Sequence, residues 1–145
     1  MKKWLILPAG FILFLMGCSA DKPVDMDAWQ REHYGFIIRT SGQMVSKLGD
    51  TNVVFIDTRR FTDFEEARIP GAFPADERGG TARLTLAMLD TSKTVVVYCG
   101  TSVCDTKLFP VLAEMNFRKV IYLSDGFGGW IYNGFPVERG FPALQ

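Results

Sequence analysis

Two cysteines, Cys99 and Cys104, follow the apolar run Val95-Val96-Val97-Tyr98 and enclose Gly100, Thr101, Ser102 and Val103. A thiol delivered by a strand into a loop of small residues suits nucleophilic chemistry. The thiolate is the attacking form, and it can carry an added sulfur as a persulfide. No Lys, Arg or His lies between Cys99 and Thr106. Stabilisation of an anion is therefore expected from backbone amides and from the start of the helix that follows. A second reading stands beside it: Cys99 is a small apolar residue ending a core strand.

The elements that must position this loop follow from hydrophobic pattern. Three successive β-branched residues and a tyrosine without polar alternation predict a strand buried on both faces. Leu108, Val111, Leu112, Met115 and Phe117 recur at helical spacing, predicting a helix from about Asp105 to Phe117. Upstream, Ser41 is expected to cap a helix running through Leu48, which Gly49-Asp50 ends. Val53 to Ile56 reads as a second buried strand ending in Asp57-Thr58-Arg59, where a local ion pair is expected. Phe61 to Arg68 reads as a short helix, and Pro70-Gly71 as a turn into a short strand. Thr81 to Leu89 is expected to be helical with Leu84, Ala87 and Met88 on one side. Val120 to Leu123 gives another strand, and Phe127 to Trp130 opens a last helix closed by Gly134. Alternating strands and helices predict an α/β domain with a mostly parallel sheet flanked by helices.

At the N-terminus, Met1-Lys2-Lys3 precedes an apolar run from Trp4 to Met16 that ends in Leu15-Met16-Gly17-Cys18-Ser19. The positive flank and short apolar core predict a secretion signal rather than a membrane span of ~20 residues. The end of the run resembles the lipobox of bacterial lipoproteins, in which the cysteine carries lipid, palmitate included. Residues 1–17 are expected to be a lipoprotein signal peptide, 18–40 a lipidated tether and edge segment lipid-anchored at Cys18, and 41–145 the folded domain. The protein would then sit in the bacterial cell envelope on the periplasmic side, joined to a membrane through its N-terminal lipid, with Ser19 and Asp21 leaning toward the outer membrane.

The 128 residues left after the signal suit one domain with one core. With Lys2 and Lys3 gone, 14 basic residues face 16 acidic ones, and no basic patch argues for nucleic acid. Trp29, Tyr34, Phe36, Ile37 and Ile38 are too apolar for a free tail and are expected to pack on the domain edge. His33 is the chain's one histidine. It is expected to have a surface or packing role, since nothing ties it to Cys99.

From about Ser41 to Val137 the chain resembles rhodanese domains. The resemblance is carried by Asp57-Thr58-Arg59 after a strand, and by Phe64 followed by Arg68-Ile69-Pro70-Gly71-Ala72. The strand into Cys99 is a third feature. The others are Asp125-Gly126-Phe127-Gly128-Gly129-Trp130 and Gly134-Phe135-Pro136-Val137. It implies a rhodanese-like three-layer domain with Cys99 catalytic and Gly100, Thr101, Ser102, Val103 and Cys104 forming the substrate-binding loop. It also implies sulfurtransferase chemistry through a persulfide, from a small sulfur-containing donor to a thiol or cyanide, with no metal or other cofactor. The chain departs from the family pattern in two places. Many members have Gly-His where this chain has Ala67-Arg68, and many close the loop with Arg-Ser where it has Cys104-Asp105. The missing loop Arg weighs against thiosulfate as donor and against the phosphatase activity of fold relatives, because Asp105 adds negative charge where an anion would bind.

Three function classes follow: an envelope sulfurtransferase, a thiol–disulfide protein using Cys99 and Cys104, and a non-catalytic rhodanese-like binding module. If Cys104 attacks a persulfide on Cys99, sulfide leaves and an internal disulfide remains, so turnover would require a reducing partner protein. Otherwise Cys104 packs at the start of the helix.

Overall fold

The computed structural model describes residues 28, 31, 32, 34–76, 78–101 and 107–140. Five strands form one sheet: β1 (Ile37–Arg39), β2 (Val53–Asp57), β3 (Phe73–Pro74), β4 (Thr94–Tyr98) and β5 (Val120–Leu123). Their spatial order is β1-β5-β4-β2-β3, and every pairing is parallel. The β4 strand is therefore central, flanked by β2 and β5 in registers that set Val97 beside both Ile56 and Tyr122. Helices α1 (Ser41–Met44), α2 (Phe61–Glu66), α3 (Ala82–Ala87), α4 (Leu108–Glu114) and α5 (Gly126–Tyr132) complete the fold.

Residue parity on the strands divides the core into two layers, because successive side chains point to opposite faces. Phe55, Val96 and Tyr98 pack with Met44, Phe64, Phe127 and Trp130 on one face. Val54, Ile56, Val95 and Val97 pack with Leu86, Leu108 and Leu112 on the other. This is the expected three-layer arrangement, and it explains why the β4 sequence shows no polar alternation.

Local chemistry departs from the sequence expectations at several points. Residue Ser41 is not the cap of α1. Thr40 holds that position, its amide donating to Gln43 Oε1 at 2.9 Å, and Ser41 is buried. After Met44 the chain tightens into a 3-10 turn over Val45–Lys47 instead of continuing as an α-helix. The inward face of α3 is also not the expected one: Ala82, Thr85 and Leu86 are buried, while Leu84 and Met88 are 70% and 75% exposed. A helix of six residues makes fewer than two turns, so two apolar faces were compatible with its pattern. The helix after the Cys loop starts at Leu108 rather than Asp105. Part of the expected edge segment is a strand, since Ile37–Arg39 joins the sheet beside β5 and Phe36 stacks on Phe109 with centroids 4.2 Å apart.

The Pro70-Gly71 turn takes the expected form. Ala72 N donates to Ile69 O at 3.0 Å, and Gly71 has φ 74°, a conformation that favours glycine. His33, Trp29 and residues 1–27, with the expected signal peptide and Cys18, lie outside the described residues. Among the described residues, no helix is long and apolar enough to cross a membrane.

Candidate active site at the end of the central strand

Cys99 directly follows β4 and is 9% exposed. In a parallel sheet the carboxyl ends of neighbouring strands lie together, and a cleft outside them is where open α/β folds bind ligands. Here that cleft is about 710 Å³ and is lined by Cys99, Gly100 and Thr101 together with Thr58, Arg59, Arg60, Asp63, Asp76, Arg78 and Lys107. Gly100 and Thr101 line it beside Cys99. Ser102, Val103 and Cys104 lie outside the described residues.

The loop is held from below by α5. Phe127 N donates to Cys99 O at 2.7 Å, and Gly128 N donates to Gly100 O at 3.0 Å. Across a planar trans peptide the carbonyl and the next amide point in opposite directions. The Gly100 and Thr101 N–H groups are therefore turned away from α5. The start of α5 meets the Cys loop, and its Phe127 and Gly128 amides bind loop carbonyls and not the sulfur.

Two glycines allow this approach, and a third makes room for Asp125. A Cβ on Gly126, whose φ is 58°, would lie 2.7 Å from both Cys99 O and Thr101 O, and one on Gly128 would lie 3.1 Å from Gly100 O. On Gly129 it would meet the Asp125 side chain at 2.5 Å. That carboxylate is in use: Asp125 accepts from Ser41 N at 2.9 Å and from Ser41 Oγ, tying α1 to the turn beneath the Cys loop.

Arg59 supports the loop from the other side. Its guanidinium bonds the fully buried Asp57 carboxylate, with Nη2 to Oδ2 at 2.6 Å and Nε to Oδ1 at 3.0 Å. It also donates to Ala67 O at 2.6 Å and lies 3.9 Å from the centre of the Phe127 ring. Burial disfavours its charge, but the bonds to Asp57 and that carboxylate's charge outweigh burial and raise its pKa. The expected Asp57–Arg59 ion pair is present, and Arg59 extends beyond it to line the cleft. Tyr98, fully buried, accepts at its hydroxyl from Ile69 N at 3.2 Å. Burial first, and the Asp57 charge second, push its pKa well up, so it stays neutral.

The sulfur itself lies 2.9 Å from Thr101 O. In this structure Cys99 is disulfide-bonded. In the reduced state the thiol can donate to that carbonyl, and deprotonation removes the donor.

Sequence reasoning missed Arg60, Asp63, Asp76, Arg78 and Lys107 as cleft residues. The absence of cations within the loop points, in the sequence, mainly to backbone amides and the helix dipole. The structure brings cations in from the β2–α2, β3–α3 and Cys99–α4 connections. Each lies on a polar stretch of the sequence, with no signal there that it meets Cys99. Arg68 is buried and does not line the cleft. It donates to Gly140 O, bonds Glu138 Oε1 and lies 4.7 Å from the Phe64 ring centre, closing the C-terminal tail onto the domain. Among the described residues, no group of three or more His, Cys, Asp or Glu stands together to hold a metal.

Residues 40–133 match the model of the rhodanese-like domain. The chain belongs to that family. Thiosulfate sulfurtransferase GlpE of Glaesserella parasuis is 26% identical over 102 residues, covering 70% of this chain and 93% of that protein. Among solved structures, the Alr3790 protein from Anabaena sp. superposes with a TM-score of 0.60 at 21% identity, over 72% of this chain and 95% of the other. A rhodanese-related protein from Thermoplasma volcanium gives a TM-score of 0.60 at 14% identity, over 71% and 98%.

Proposed function

We propose that this rhodanese-like protein is an envelope-anchored sulfurtransferase that moves sulfane sulfur through a persulfide on Cys99. The observation that carries the reading is Cys99 itself, lining a cleft at the carboxyl end of the central strand, with a loop whose carbonyls are tied back to α5. The similarity to a thiosulfate sulfurtransferase supports the same chemistry. In the first half-reaction the Cys99 thiolate attacks the outer sulfur of a donor. The Cys99 Sγ–S bond forms, the donor's S–S bond breaks, and the leaving group departs with the electron pair. A thiol or cyanide then removes that sulfur and restores the thiolate. Gly100, Thr101, Ser102, Val103 and Cys104 form the loop around the persulfide in this reading, and no cofactor takes part.

Mass spectrometry of the reduced protein after incubation with thiosulfate or polysulfide tests the proposal. A gain of ~32 Da on the Cys99 peptide is expected, and none in Cys99→Ser. No gain in the wild type overturns it.

Anchoring rests on the resemblance of Leu15-Met16-Gly17-Cys18 to a lipobox, and metabolic labelling with a fatty acid should mark the wild type and spare Cys18→Ala. A second reading, thiol–disulfide exchange with a reducing partner protein, is favoured by the disulfide-bonded state of Cys99. It predicts turnover with a dithiol substrate and no sulfane sulfur on the protein.

A further inference from the structure

The cleft holds four cationic side chains, Arg59, Arg60, Arg78 and Lys107, and two anionic ones, Asp63 and Asp76. These charges are not equally available to a ligand. Arg59 is neutralised by Asp57 beneath the cleft. Arg60 meets Asp63 only at 4.0 Å, with both side chains well exposed, a pair that contributes little. Arg78 is exposed, lines the cleft and makes no ion pair among the described residues.

The Asp76 carboxylate is occupied by backbone. Its Oδ1 accepts from Arg78 N at 2.9 Å and Gly79 N at 3.0 Å, and its Oδ2 from Phe61 N at 3.3 Å. One buried carboxylate thus gathers the segment bearing Arg78 and the helix start next to Arg60. Its own charge is met by three amides rather than by either guanidinium. Gly79 belongs to the same device, because a Cβ there would lie 2.9 Å from Asp76 Oδ2.

We infer that Arg78, assisted by Arg60 and positioned by Asp76, selects anionic sulfur donors at the Cys99 cleft, replacing a cation that the loop lacks. This rests on the sulfurtransferase reading and names its donor class. With thiosulfate, the Cys99 thiolate takes the outer sulfur, the S–S bond of thiosulfate breaks, and sulfite leaves with the bonding electrons. Total charge is conserved, and the guanidinium groups face the dianion that enters and the dianion that leaves. A guanidinium is suited to both through its forked donors.

The test uses the reduced full-length protein and does not depend on sulfur transfer alone. Cys99 is alkylated with iodoacetate, an anion, and with iodoacetamide, its neutral counterpart, at low ionic strength, and the Cys99 peptide is followed by mass spectrometry. Arg78→Gln is expected to lower the iodoacetate-to-iodoacetamide rate ratio about threefold or more, while Arg78→Lys restores much of it. For thiosulfate, Arg78→Gln should raise KM about tenfold, the effect falling on KM rather than kcat. An unchanged alkylation ratio in Arg78→Gln, or an equal slowing by both reagents, overturns the inference. If the wild type gains sulfur from neither thiosulfate nor polysulfide, the sulfurtransferase reading fails, and the alkylation ratio still decides whether Arg78 selects anions.

Discussion

Gly126 lies directly beneath the Cys99 carbonyl, so close that a Cβ there would be 2.7 Å from its oxygen. The contact joins the start of α5 to the loop that carries the thiol, and α5 in turn donates Phe127 N to the same carbonyl. Gly126→Ala meets both this clash and a φ of 58°. It should cost about 2 kcal/mol or more. The loop must move to relieve the contact, so sulfur transfer is expected to fall at least about tenfold. Urea denaturation and persulfide formation, measured on one preparation, check both effects. Wild-type stability in the variant would show that the loop does not rest on this glycine.

Arg59→Ala removes the guanidinium from a carboxylate, Asp57, that is fully buried. Uncompensated burial of that charge should cost about 3–5 kcal/mol. Arg59→Lys keeps a charge but loses the forked contact to Asp57 and Ala67 O, and should recover only part of the loss. Thermal unfolding of the two variants against wild type is the measurement, with the order wild type, Lys, Ala expected.

Glu138 sets an acid-side dependence. The hydrogen bond from Gly71 N is the largest influence on its pKa; burial opposes it, and with the bond and charge of Arg68 added the pKa falls below the ordinary 4.5. A folded pKa below the unfolded one contributes stability that is present above about pH 4.5 and lost as pH falls through the folded value. In Glu138→Gln this component should vanish, giving a shallower loss of stability below that pH. Parallel stability curves for the two proteins would contradict it.

Cys104 separates the two chemistries open to Cys99. If Cys104 attacks a Cys99 persulfide, Cys104→Ala should raise the lifetime of the ~32 Da adduct and abolish sulfide release without added reductant. Assays with a cyanide acceptor and with a thiol acceptor read the two routes. Unchanged rates in both, together with no Cys99–Cys104 disulfide in oxidised wild type, would leave Cys104 a packing residue.

What the sequence determined by itself was local. The run Val95 to Tyr98 could be read as a central strand because a strand covered on both faces needs no polar position. The turn at Pro70-Gly71 could be read because its dihedral demands are met within four residues. The place of Cys99 at a strand end followed from the same patterns. The tertiary structure decided what depends on which strands become neighbours. The order β1-β5-β4-β2-β3 brings the connections after β2, β3 and β4 to one edge, and only there do Arg60, Asp76, Arg78 and Lys107 meet Cys99. The inward face of α3 was decided in the same way. The six residues and the cap that follows carry apolar groups on two sides, and the sheet's available surface selects Ala82 and Leu86 over Leu84 and the cap residue Met88. Charges that converge through chain crossovers leave no periodic trace in sequence, because their spacing is set by the sheet and not by the pitch of any one element.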